Sequence, residues 1–271
     1  MPRRIRALPG ALMALAAIAT LVGCGGGHSA RDALRGYIGQ VNTIQRDGAA
    51  GIRRANTTYA RFSEGKLTGV AAVRQLGLAE DELRTIRGRL ARLPAPPAAQ
   101  TLRRRLLAVF AADIGLAAEA TRLATYVPAA RRAMAPLPGA GRRLRADLAR
   151  ATSPVAQGAA LRTYGRDLAR IEARLRLLSP PPVLQASYNA QLLRLYTAHG
   201  LTRRLRTAIA ARDAPAVARL LLRFRDINAS AGGDLAAQRA AALAYRDRVR
   251  RVSLLEGALQ REEQRLNRTI R

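Results

Sequence analysis

The chain has no tryptophan, three phenylalanines, two histidines and one cysteine among 271 residues. A single cysteine excludes any disulfide within the chain, so stability has to come from packing. Aromatic and β-branched residues, which favour strands, are scarce. Alanine and leucine, the strongest helix formers, dominate instead and predict an all-α fold. The reactive inventory is equally thin. His28 and His199 have no carboxylate pair at metal-ligand spacing beside them. No helix carries a histidine pair, no nucleophile elbow occurs, and Gly25–Gly27 follows an apolar run rather than a strand. No catalytic residue, metal or cofactor is expected. One enzymatic alternative stays open, a hydrolase working with carboxylates alone, because such sites leave no local signature.

The lone cysteine is informative through its position. Arg3, Arg4 and Arg6 precede the uncharged, mostly apolar stretch Ala7–Val22, the outline of a secretory signal. A spanning helix needs about 20 apolar residues, and Pro9 and Gly10 shorten this run further. Leu21, Val22, Gly23 and Cys24, followed by three glycines, resemble the lipobox of bacterial lipoproteins. That resemblance implies a signal peptide over residues 1–23, a diacylglyceryl group on Cys24 and a glycine-rich linker over 24–29. It also implies lipid anchoring in a bacterial envelope, on the outer side of the cytoplasmic membrane or in an outer membrane. Anchoring through two acyl chains is stable where one chain is marginal.

Acidic residues are also few: 18 against 47 basic ones, a net charge of +29. Removing Arg3, Arg4 and Arg6 leaves 44 basic against 18 acidic residues, a net of +26, and only Lys66 is lysine. Arginine's planar fork suits phosphate and carboxylate groups, so an anionic lipid or acidic wall polymer is the natural partner. The competing explanation is a GC-rich genome that writes arginine everywhere, to solvate helix faces. Nonspecific nucleic-acid binding would also use this charge. No aromatic residues are interleaved among the arginines for base stacking, so nucleic acid is the weaker partner. The candidate contacts are the clusters Arg103, Arg104, Arg105; Arg203, Arg204, Arg206; and Arg248, Arg250, Arg251.

An internal duplication organises the 30–271 region, with repeats of about 68–127 and 153–212. Leu83, Ile86, Leu90 and Leu93 fall on Leu168, Ile171, Leu175 and Leu178 at an offset of 85 residues, and Pro96, Pro97 and Gln100 on Pro181, Pro182 and Gln185. Each unit reads as helix, proline turn, helix: apolar residues recur every three or four positions from Val70 to Leu93, then prolines end the helix. Ser153 followed by Pro154 reads as an N-cap with a first-turn proline. Long helices flank the hairpins, one from Ser29 to about Glu64 with Gln45 and Gly48 interrupting its stripe, the other from about Asp234 to Thr269. Breaks are expected at Pro128, at Pro136–Gly139 and at Asn228–Gly233. The predicted architecture is an elongated antiparallel helical bundle built from a duplicated αα-hairpin, because neither hairpin can bury its stripe alone.

Asp113 interrupts the stripe of its helix, between Val109 and Leu116. It is expected either at a solvated bundle edge, as for most acids, or buried against an arginine such as Arg89. Glu80 with Arg84 and Glu172 with Arg176 have i,i+4 spacing suited to ion pairs on exposed faces.

Overall fold

The computed structural model describes residues 30–229 and 231–270, and these are helical with no strand. The elements are α1 (Ala30–Ser63), α2 (Gly69–Arg92), α3 (Gln100–Met134), α4 (Pro136–Arg150), α5 (Pro154–Arg176), α6 (Gln185–Ala210), α7 (Ala214–Ala229) and α8 (Ala231–Ile270). Short 3-10 turns, Pro97–Ala99 and Pro182–Leu184, precede α3 and α6. The chain divides into two compact units: the described residues of Met1–Thr125 with Arg246–Arg271 form unit 1, and those of Tyr126–Tyr245 form unit 2.

Helix starts follow local chemistry, and they recur. Thr68 caps α2 by accepting a hydrogen bond from the Ala71 amide at 3.3 Å. Ser153 caps α5 by accepting from the Ala156 amide at 3.2 Å. In both cases an orphan first-turn donor is satisfied. These pairs, the two 3-10 turns and the starts of α3 and α6 all stand 85 positions apart, as between Thr68 and Ser153. Val70, placed by its spacing on the buried stripe, is 84% exposed, and Val155 is 77% exposed. Both lie in the first turn, and the buried stripe of α2 begins two positions after Val70, at Ala72.

Unit 1 is cored by Leu34, Ile38 and Val41 of α1, Leu83 and Leu90 of α2, Leu106 and Phe110 of α3, and Leu259 and Leu266 of α8. Gly48 and Gln45, which break the α1 pattern, belong inside this core. A Cβ on Gly48 would lie 2.5 Å from Phe110 Cε1, so the glycine makes room for the ring. Gln45 is buried and donates from Nε2 to Glu263 Oε1 at 2.8 Å. A smaller alanine-rich cluster joins Ala55, Ala72, Leu76, Ala79, Ala120 and Ala124.

Unit 2 is cored by Leu161, Leu168, Ile171 and Leu175 of α5 with Leu195, Ala198 and Leu205 of α6 and Leu144 of α4. Contrary to expectation, Pro128 does not break the helix. It lies inside α3, which continues to Met134 before Pro136 opens α4. An interior proline removes one backbone bond; the buried Ala133, with Ala130 and Met134 packed on the same core, offsets that loss. The break expected near Asn228–Gly233 corresponds to the end of α7 at Ala229 and the start of α8 at Ala231.

Candidate functional site

Cys24, His28 and the whole of residues 1–29 lie outside the described residues. Among the described residues no helix is long and apolar enough to cross a membrane.

The structure sorts the candidate arginines into two groups. Arg103, Arg105 and Arg248 are half-buried and engaged within unit 1. Arg103 donates from Nη2 to the Ala91 carbonyl in the last turn of α2, where free carbonyls and the helix dipole favour a cation. Arg105 donates from Nη1 to the Ala258 carbonyl of α8 at 2.5 Å. Arg248 Nη1 stands 3.2 Å from Glu119 Oε2. These three side chains hold helices together. Arg104 is exposed, with a weak bond to Thr101 Oγ1 at 3.3 Å. Arg203, Arg204 and Arg206 on α6, and Arg250 and Arg251 on α8, are exposed, and no described acid pairs with them.

The acids that do pair are found elsewhere. Asp167 Oδ2 accepts from Arg143 at 2.9 Å and its Oδ1 lies 3.3 Å from Arg170. Glu172 Oε1 accepts from Arg176 at 2.5 Å, and Glu80 Oε1 from Arg84. In both i,i+4 pairs the arginine is exposed while the glutamate is buried, so these are half-buried anchors rather than purely surface pairs. From Gln185 to Ala210, α6 contains no acidic residue at all.

Sequence reasoning missed most of a set of buried acids in unit 1. Asp113 is 7% exposed, and its Oδ2 accepts no hydrogen bond. The site is not a solvated edge but buried, as the second expectation had it; the arginine partner does not follow, since Arg89 instead donates to Asp47 Oδ2 at 2.8 Å. Burial, with the Glu256 carboxyl of α8 adding repulsion, raises the Asp113 pKa from 3.8 to about 7. Burial also raises Glu256 above its ordinary value. Glu119, 1% exposed, has Arg248 and Arg122 at 3.2 and 3.7 Å from Oε2, ion-pair distances without hydrogen-bond alignment. Its signal was the i,i+3 spacing to Arg122; its burial depends on α8, far away in sequence. Glu262 is held below its ordinary pKa by hydrogen bonds from Arg265.

His199 packs over the Gly165 position, with Cδ2 3.7 Å from where a Cβ would stand. Among the described residues no group of three or more histidine, cysteine or carboxylate side chains is placed to hold a metal ion. An open groove of about 360 Å³ in unit 2 is lined by Pro154, Ile209, Arg212, Val217 and Leu221 among others, without a carboxylate. Compared with family models, with curated proteins and with solved structures, the chain matches none.

Proposed function

We propose that this is a non-enzymatic, lipid-anchored envelope lipoprotein whose helical units serve as a scaffold or binding module for an anionic surface. The observation that carries the binding part is the state of α6: Arg203, Arg204 and Arg206 are exposed on a helix without acids, while acids such as Asp167 and Glu172 are already paired with other arginines. The pairs Arg143–Asp167, Arg176–Glu172 and Arg84–Glu80 are what a purely solvating role for arginine predicts, and α6, which has no acid of its own, is where that local matching is missing. The anchoring part rests on Leu21–Cys24 and the signal-like stretch before it.

Two measurements test the reading. Mass spectrometry of the protein purified from membranes is expected to find Cys24 carrying a diacylglyceryl group, and Cys24→Ala to leave the precursor unprocessed. An unmodified Cys24 in the wild type would defeat the anchoring. Binding to anionic vesicles or acidic polymer is expected to weaken steeply between low and physiological salt, since the Debye length shortens to about 8 Å. Salt-insensitive or absent binding would leave the charge without this role.

A further inference from the structure

The duplicated hairpin supplies an internal comparison for the outer face of α6. Asn189, Leu193, Tyr196, Gly200, Arg203 and Thr207 follow one another at steps of three or four, which places them on one side of the helix. Leu193 is 66% and Tyr196 64% exposed, with Arg203 and Arg204 exposed beyond them. At the positions 85 residues earlier, α3 of unit 1 exposes Ala108 and Ala111 where α6 exposes Leu193 and Tyr196. The same register is therefore occupied by small side chains in one copy, so folding of the hairpin does not require a large apolar group there. Further along, Ala118 and Glu119 of α3 correspond to Arg203 and Arg204 of α6. Glu119 is buried and contacts Arg248 of α8, whereas Arg204 is exposed and unpaired among the described residues.

We infer that the outer face of α6 docks on an anionic phospholipid bilayer, with Leu193 and Tyr196 entering the interfacial layer and Arg203 and Arg204 reaching lipid phosphates. This rests on the anionic-surface reading above and narrows it to one partner. The two kinds of side chain argue together. Phosphates of any source would attract the arginines, but only a bilayer offers an apolar layer beside its phosphates for a leucine and a tyrosine. Tyrosine, with an apolar ring and polar tip, suits that depth. Arginine stems lie along the apolar boundary while the guanidinium reaches the headgroups. With no acid on α6, nothing on the helix repels an anionic leaflet.

The absence of tryptophan makes the test direct. Tyr196→Trp places a unique fluorescent indole on the α6 face, and Ala111→Trp places one at the matching position of α3. Each full-length lipidated protein is reconstituted into vesicles of phosphatidylcholine alone, or of equal parts phosphatidylcholine and phosphatidylglycerol. Emission from the α6 indole is expected to move to the blue and to be quenched by brominated acyl chains only in the anionic vesicles, while the α3 indole stays solvent-exposed in both. Adding Arg203→Gln and Arg204→Gln should lower the docked-to-undocked ratio about thirtyfold, from about 1 kcal/mol per arginine near an anionic leaflet. Far-UV circular dichroism checks folding, and Leu193→Trp replaces Tyr196→Trp if the latter misfolds.

An α6 indole that remains exposed in anionic vesicles overturns the inference. So does its shielding by soluble polyphosphate but not by vesicles; this result would preserve the anionic-surface reading and reject the bilayer. Concentration-dependent shielding without vesicles would overturn it too, and assign the face to a second copy of the chain. Should Cys24 carry no lipid, the same variants are added to preformed vesicles, where the α6 indole decides the question independently of the anchor.

Discussion

Asp113→Asn should make the protein more stable at neutral pH and leave it nearly unchanged in acid. Asp113 is buried in α3, its Oδ2 accepts no hydrogen bond, and Glu256 of α8 adds repulsion. The folded protein therefore holds this proton more tightly than the unfolded chain, with a pKa of about 7 against 3.8. As pH rises through 3.8 the unfolded chain loses its proton first, and stability declines until the folded form also ionises near pH 7. At about 1.4 kcal/mol for each tenfold change in proton affinity, the full decline is on the order of 4 kcal/mol. Asparagine has nearly the same shape and no charge, so it removes this decline. Guanidinium unfolding of wild type and variant, followed by circular dichroism in acid, at intermediate pH and in mild alkali, measures the difference. It should be near zero at about pH 4 and reach a few kcal/mol in favour of Asn above about pH 7. Glu256→Gln should shrink the difference, because it removes the repulsion that adds to burial in raising the Asp113 pKa. An Asn advantage that is the same at every pH, or a wild type that gains on the variant as pH rises, would refute the reasoning.

Gly48→Ala should destabilise unit 1 by about 1–3 kcal/mol in thermal or chemical unfolding, since its Cβ would stand 2.5 Å from Phe110 Cε1. Gly36→Ala, with nothing within 4 Å, should instead stabilise by about 0.4–1 kcal/mol. Arg248→Ala should cost about 3 kcal/mol by stripping the nearest cation from the buried Glu119, and Glu119→Leu in the same chain should recover most of it; equal losses in single and double variants would remove the pair from the account. Thr68→Ala and Ser153→Ala should each cost about 1 kcal/mol. Similar values would follow from equivalent caps at the two hairpins, and a loss at only one would argue against the equivalence.

What the sequence made legible was what local chemistry decides. Helical class followed from composition. The start of α5 at Ser153 and the turns at Pro97 and Pro182 followed from a hydroxyl cap and prolines acting on their immediate neighbours, whereas the equivalent cap at Thr68 emerged only with the structure. What stayed hidden depended on contacts distant in the chain. Gln45 and Gly48 read as interruptions because their partners, Glu263 and Phe110, are on other helices. Asp113 stood out on its stripe, but the α8 carboxyl facing it is 143 positions away, at Glu256. Arg103 and Arg105 read as members of a basic cluster, whereas the structure engages them with the carbonyls of Ala91 and Ala258, acceptors that no local pattern announces. The arginines of α6 were visible as a cluster. Leu193 and Tyr196 were overlooked beside them, although their spacing to Arg203 was available.

Unit 1 is interrupted by unit 2 in the order of synthesis. Leu259 and Leu266 share a core with Leu34 and Leu102, and the bond from Gln45 to Glu263 joins residues 218 positions apart. Unit 2 is made from one continuous stretch, so it can close while the apolar faces of α1, α2 and the first part of α3 still await their last partner. Such distant closure is slow compared with local pairing, and open apolar faces invite aggregation during the wait. A chain whose unit 2 has closed before α8 docks therefore has a finished middle and an unfinished beginning, and it is the beginning that has to be shielded until α8 arrives.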